Sequence, residues 1–223
     1  MIYMDIREKT YVSLCAIFSV LVTTGNLIYQ KFVYLPLLSF YTFELSVGAI
    51  IYPFTFMVAD IIAEFYGVEK AKFCVRLSVI MNIMVAFIVI IATRLEATVW
   101  SKVSNPEFAH IFGSFNVAFI SSIIASYAAQ SLDVILYMRI KKLSRGKFLL
   151  LRSNLSTAIS LLIDTTLVIS LLAIFDVLPK EQALILIVNS YMYKLFFTLC
   201  SNPLFYFLVK GAKYIGINPA RFS

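Results

Sequence analysis

The sequence predicts an all-α integral membrane protein of six transmembrane helices with both termini cytoplasmic, and three observations predict it. Of the 223 residues, 61% are hydrophobic and 14% charged, against roughly 45–50% and 25% in an ordinary soluble domain. Mean hydropathy is +0.90, which leaves too few polar side chains to cover a water-soluble fold. The apolar residues gather in runs of about 20, the length a helix needs to cross a hydrocarbon core.

Helices are expected at about residues 10–30, 41–65, 73–94, 114–138, 154–176 and 183–209, forming a single transmembrane domain over residues 1–223. The first run follows Arg7 and Lys9 and is longer than a signal-peptide core, with no small-residue cleavage site, so it reads as a retained helix. The second contains Pro53, which removes a backbone hydrogen bond and predicts a kink or a break. The stretch from 95 to 113, with Trp100, Pro106 and His110, is expected as a short amphipathic piece in the membrane interface. The fourth and fifth helices flank a basic loop. The 20 Phe and 13 Tyr suit anchoring near the lipid headgroups.

Orientation follows from the cations. The N-terminus (Arg7, Lys9), second loop (Lys70, Lys72, Arg76), fourth loop (Arg139, Lys141, Lys142, Arg145, Lys147, Arg152) and C-tail (Lys210, Lys213, Arg221) hold 14 Lys and Arg, whereas the alternate loops hold four: Lys31, Arg94, Lys102 and Lys180. Short cytoplasmic loops carry this excess, which places both termini in the cytoplasm of a multi-pass inner-membrane protein. The net charge of +7 therefore reads as topology, and no nucleic-acid partner is expected, because the cations form no solvated basic face. Cys15, Cys74 and Cys200 lie in apolar segments without CxxC or Cys/His spacing, so neither a zinc site nor a disulfide framework is indicated and no cofactor is expected.

Ionisable groups inside a span are costly and mark sites by default. Asp60, Glu64, Asp133, Asp164 and Lys194 are the ones that need an explanation. Asp60 and Glu64, four apart, project from one helix face, with pairing of Glu64 to Lys70 or Lys72 as the plainer alternative. Gln130 with Asp133, Ser156 with Ser160 and Asp164, and Asn26 with Gln30 make polar stripes that should face the bundle interior. Interhelical hydrogen bonding explains Asn26, Asn82 and Asn189 as well as ligand contact does. Gln130-Ser131-Leu132-Asp133-Val134 is echoed by Leu161-Leu162-Ile163-Asp164-Thr165, placing one carboxylate on each of two antiparallel neighbours, as transporter repeats do. No HExxH, GxSxG or protease-like Gly-x-Gly-Asp setting is present, so the chain reads as non-enzymatic.

Tyr52-Pro53-Phe54-Thr55-Phe56 followed by Ala59-Asp60-Ile61-Ile62-Ala63-Glu64-Phe65-Tyr66-Gly67 resembles the signature of the queuosine precursor transporter family, also grouped with vitamin uptake transporters. Gly25-Asn26 with Gln30-Lys31, Phe112-Gly113, Ala125-Ser126-Tyr127 through Gln130 and Asp133, and Arg152-Ser153-Asn154 leading to Ser160 and Asp164-Thr165 agree in order, over about residues 11–210. The resemblance implies a six-helix importer of 7-deazaguanines (preQ0, preQ1 or queuine) for tRNA modification, related in fold to the substrate-binding components of energy-coupling-factor transporters. Where the family usually reads Ser-Gln before the fifth-helix Asp, this chain has Ser160-Leu161.

A guanine-like edge offers a ring N–H and an exocyclic amine side by side, which one carboxylate accepts together. Asp133 or Asp164 fits that role, with Asp60 or Glu64 meeting a ligand amine, Gln130 and Asn154 meeting carbonyl and ring nitrogens, and Phe54 and Tyr127 stacking on the base. The candidate substrate residues are thus Asn26, Asp60, Glu64, Gln130, Asp133, Asn154, Ser160 and Asp164. Secondary import is expected, with proton coupling as one drive, because the chain carries no ATP-binding signature. The alternative is a substrate-binding subunit of an energy-coupling-factor type transporter for a vitamin-like solute. The partners are the bilayer and a small-molecule substrate, and assembly into a homo-oligomer stays open.

Overall fold

The computed structural model describes residues 5–29, 31–38, 41–112, 115–214, 216 and 218–219. Gln30, Gly113 and Arg221, which entered the reading above, lie outside them. The elements in chain order are α1 (Ile6–Leu27), β1 (Phe32–Leu38), β2 (Tyr41–Ser46), α2 (Val47–Tyr66), α3 (Val68–Arg94), α4 (Asn105–Phe112), α5 (Phe115–Leu143), α6 (Leu149–Ile174), α7 (Lys180–Cys200) and α8 (Asn202–Tyr214). Among the described residues six helices, α1, α2, α3, α5, α6 and α7, are long and apolar enough to cross a membrane. The protein is the all-α, multi-pass membrane protein that composition predicts.

Local chemistry sets the helix ends. The Asp5 carboxylate accepts from the Ile6 N–H at 2.7 Å and caps α1. Gly67, at φ 84°, turns the chain from α2 into α3 in a region that favours glycine. Ser104 and Glu107 form a reciprocal capping box at the start of α4, the Ser104 N–H reaching Glu107 Oε2 at 2.8 Å. That backbone donor holds the Glu107 carboxyl below its usual value. The predicted interfacial piece is therefore a short helix, and His110 lies in its last turn rather than in a loop.

Two predicted boundaries shift. Residues 41–46, expected as the start of the second helix, form β2, which pairs antiparallel with β1 from Phe32↔Ser46 to Leu38↔Tyr41. The ladder is irregular between Leu35 and Leu38, where Pro36 has no N–H to donate. Aromatic and β-branched residues made this stretch apolar enough to pass for helix, and the hairpin satisfies its backbone instead. The expected sixth helix, 183–209, is interrupted at Ser201 and resumes as α8. Pro203 sits at that start, where its missing N–H costs little. Pro53, by contrast, stays within a continuous α2.

The backbones of α1 and α2 approach closely at two glycines. A Cβ placed on Gly48 would lie 2.2 Å from the Gly25 carbonyl oxygen, so only glycine permits this approach. The main apolar cluster joins Phe18 and Val22 of α1, Ala59 and Ile62 of α2, Cys74 of α3 and Tyr137 of α5. Cys15 and Cys74 are buried as expected, whereas Cys200 is exposed. The α1 start meets the α2 end through Arg7, which donates to the Phe65 carbonyl at 2.8 Å. The α5 end and α6 start meet the same end of α2, so the basic termini of these helices gather at one end of the bundle.

Candidate functional site

The most deeply buried span is α2, and its polar residues Tyr52, Thr55, Asp60 and Glu64 each meet a polar partner on another helix. Together they form a column of buried polar groups, built largely from α2, α5 and α6, along the bundle. The stripe Ser156, Ser160 and Asp164 of α6 is inside, as its spacing predicts.

At the hairpin end, Asp164 accepts from Tyr52 Oη at 2.9 Å and from Lys194 Nζ at 2.9 Å. Lys194 also donates to Thr165 Oγ1 at 3.1 Å and lies 4.7 Å from the Tyr52 ring centroid. Tyr52, Asp164 and Lys194 line a narrow cavity with Asn26, Ser122, Gly25 and Gly48. Asn26 itself donates to Asn82 Oδ1 at 3.0 Å and ties α1 to α3.

Further along, Gln130 Nε2 donates to Thr55 Oγ1 at 2.8 Å, and Thr55 in turn donates to the Tyr52 carbonyl at 2.7 Å beside Pro53. One turn on, Asp60 accepts from Ser153 Oγ and Asp133 accepts from Thr157 Oγ1 at 3.3 Å. Ser153 and Thr157 are one turn apart on α6, and the two carboxyl groups they hold interact with each other across α2 and α5. Asp60, Ser153 and Thr157 border a second narrow cavity with Thr198, Ser201 and Asn202 at the α7–α8 break.

At the far end, Glu64 receives Arg152 at 2.6 Å, Lys141 at 3.0 Å and the Tyr137 hydroxyl at 2.9 Å. The Arg152 guanidinium lies 5.2 Å from the Tyr137 ring centroid and reaches the Gly146 carbonyl at 3.1 Å. This cluster replaces the expected pairing of Glu64 with Lys70 or Lys72. It also corrects the reading of Lys141 and Arg152 as loop cations, since both are buried.

The column is incompletely satisfied. Among the described residues, Asp60 Oδ1, Asp133 Oδ2, Gln130 Oε1, Asn154 Oδ1 and Ser160 Oγ are buried without a hydrogen-bonding partner. Ser122 Oγ and the donor Arg152 Nε are orphaned as well, so most but not all of the unpartnered atoms of the column are acceptors. Orphaned buried polar atoms cost roughly 1–3 kcal/mol each, and donors brought by a ligand or by water would relieve them.

Of the eight residues singled out in the sequence, Asn154 and Ser160 line neither of these two cavities, and the other six fall into distinct places. Asn26 and Asp164 line the hairpin-end cavity, Asp60 lines the second, Gln130 and Asp133 stand beside it, and Glu64 is enclosed in its ion cluster. Asp133 and Asp164 do not share a level: Thr157, which holds Asp133, is seven residues from Asp164, about 10 Å along α6. Tyr127 is 44% exposed on the outer face and Phe54 packs 6.1 Å from the Phe197 ring, so neither lines a cavity. The aromatic in place is Tyr52. Tyr52 and Lys194 were not among the candidate site residues, although an unpaired intramembrane lysine was the available signal for the second.

The profile of the family described as "Putative vitamin uptake transporter" matches residues 46–208, from the start of α2 into the first half of α8, and so the whole column except Asn26. The chain belongs to this family. A protein of Bacillus subtilis (strain 168) named "Probable queuosine precursor transporter" is 28% identical over 162 residues, covering 72% of this chain and 70% of that one. No solved structure matches the chain. Family membership gives the buried column its context: it is the polar interior of a transporter, where intramembrane charge belongs.

Proposed function

We propose that this protein imports a queuosine precursor, a 7-deazaguanine base such as preQ0, preQ1 or queuine, for tRNA modification. The observation that carries the reading is the set of buried, unpartnered acceptors at Asp60, Gln130 and Asp133, contributed by α2 and α5 beside α6. The guanine edge is their complement, because its ring N–H and exocyclic amine are donors placed side by side. A carboxylate accepts both in one bidentate contact. Asp133 is the residue assigned to that edge, Gln130 and Asn154 to neighbouring ring positions, and Ser160 to the carbonyl. The name of the Bacillus relative supports the same substrate.

Lys194 and Tyr52 hold Asp164 in the present conformation, so Asp164 is assigned to the entrance of the path. Both cavities are narrow, and the ion cluster at Glu64 closes the opposite end. The conformation is therefore a contracted one, and substrate passage requires α2, α5 and α6 to part. The basic end faces the cytoplasm in this reading, which places both termini and the Glu64 cluster on that side.

The test is complementation. The gene is expressed in a bacterium unable to make or import queuosine precursors but carrying a queuine-accepting tRNA transglycosylase. Each precursor is supplied separately, and tRNA queuosine is scored by gel mobility. Restored modification that is lost in Asp133→Asn supports the reading. No restoration by any precursor, with the protein present in the membrane, overturns it.

A further inference from the structure

The buried ionisable groups of the described residues are four carboxyls, Asp60, Glu64, Asp133 and Asp164, and three cations, Lys141, Arg152 and Lys194. Asp164 is matched by Lys194 at 2.9 Å, and Glu64 is met by both Arg152 at 2.6 Å and Lys141 at 3.0 Å. Among the described residues neither Asp60 nor Asp133 stands in an ion pair, and Arg152, already paired with Glu64, is the cation that acts on Asp60. If both aspartates were ionised, the interior would carry one uncompensated negative charge. A single proton between them makes the sum zero.

Geometry singles out the same pair. Asp60 and Asp133 are 1% and 0% exposed, each takes one hydroxyl donor from α6, and each leaves one oxygen unpartnered. Gln130, 1% exposed and one turn before Asp133 on the same face of α5, leaves its amide oxygen unpartnered as well. Two carboxylates held by hydroxyls one turn apart on the same helix, in a medium of low dielectric, repel each other when both are ionised, and a shared proton is the usual resolution. The surrounding groups are Glu64 on α2, Tyr137 and Lys141 on α5, and Arg152, Ser153, Ser156 and Thr157 on α6. Thr198 of α7, Ser201 at the break, and Asn202 and Phe205 of α8 line the cavity beside the pair, and Lys213 of α8 is the charged group that acts on Lys141.

Building on the import reading, we propose that Asp60 and Asp133 hold one proton between them and form the station at which a coupling proton crosses with each substrate molecule. The proton enters from the outer side with the substrate, resides on the pair, and leaves toward the cytoplasm through the cavity at the α7–α8 break. The emptied pair then faces outward and takes its next proton from the outer side together with the next substrate molecule, so one proton crosses per cycle. No other co-reactant is required.

Because both residues also stand in the proposed substrate site, the test uses readouts that loss of substrate binding alone does not move. In the first, the purified protein carrying isotope-labelled aspartate is reconstituted and its infrared carbonyl region recorded. The wild type should show the band of a protonated carboxylic acid, absent from both Asp60→Asn and Asp133→Asn and retained in Ser160→Ala, which leaves the charge sum unchanged. Absence of that band from the wild type, or its survival in both Asn variants, overturns the shared proton. In the second, wild-type vesicles loaded with a pH-sensitive dye receive preQ0, whose side arm is uncharged. Influx should acidify the lumen by one proton per molecule. Influx without acidification overturns the coupling and leaves import standing; no influx of any precursor overturns import itself, while the infrared band still decides the proton on the pair.

Discussion

Arg152 and Glu64, 88 positions apart in sequence, meet at 2.6 Å in the interior of the bundle. With Lys141 as a second partner of the same carboxylate, the contact joins α2, α5 and α6 at their basic end. Breaking a buried pair by removing one partner typically costs about 3–5 kcal/mol, because the remaining charge stays buried.

Glu64→Gln, which strands two cations, should therefore destabilise the protein by about 3–5 kcal/mol. Arg152→Met should cost less, because Lys141 stays at 3.0 Å from Glu64. Thermal unfolding in detergent checks the order, and a more stable Glu64→Gln than Arg152→Met contradicts the arrangement.

The two glycines of the α1–α2 contact should behave differently. A Cβ on Gly25 meets nothing closer than 3.7 Å, whereas one on Gly48 strikes the Gly25 carbonyl oxygen. Gly25→Ala should be neutral or stabilising, since alanine gains roughly 0.5–1 kcal/mol in a helix. Gly48→Ala should lose about 1–3 kcal/mol through overpacking. Unfolding midpoints of the two variants decide it.

Much of this was legible in the sequence for a physical reason. Apolar runs of spanning length report membrane helices directly, and the spacing of Ser156, Ser160 and Asp164 placed a polar stripe that is indeed inside. The hairpin was not legible, because residues 41–46 are apolar and aromatic in the way a helix start also is. The partner of Glu64 was missed for a different reason. Lys141 and Arg152 stand next to four other cations in sequence, and a count of loop charge does not reveal which of them turn inward. Likewise the levels of Asp133 and Asp164 depend on how α5 and α6 slide against each other, which no local pattern records.

Lys194→Met should strand Asp164 with Tyr52 as its remaining donor and lower stability by about 3–5 kcal/mol. Adding Asp164→Asn to it should recover part of that loss, since both charges are then gone. A double variant no better than Lys194→Met alone, measured by thermal unfolding, would show that the 2.9 Å pair is not energetically coupled.

Asp133→Asn should weaken uptake without removing the protein from the membrane. Hydrogen bonds to a charged group are worth about 1.5–3 kcal/mol, so the half-saturating concentration should rise roughly 10–100-fold. Gln130→Leu, which removes a neutral acceptor, should have a smaller effect. Initial uptake rates against substrate concentration in cells with matched protein levels provide the measure.

The most direct test of the central claim is counterflow with the purified protein in vesicles. Vesicles filled with unlabelled preQ1 are diluted into a trace of labelled preQ1, and the transient uptake is followed. The account predicts an overshoot that unlabelled preQ0 or queuine outside competes away and that riboflavin leaves untouched. Absence of any overshoot with preQ0, preQ1 and queuine, from protein shown to be folded, would contradict a 7-deazaguanine importer.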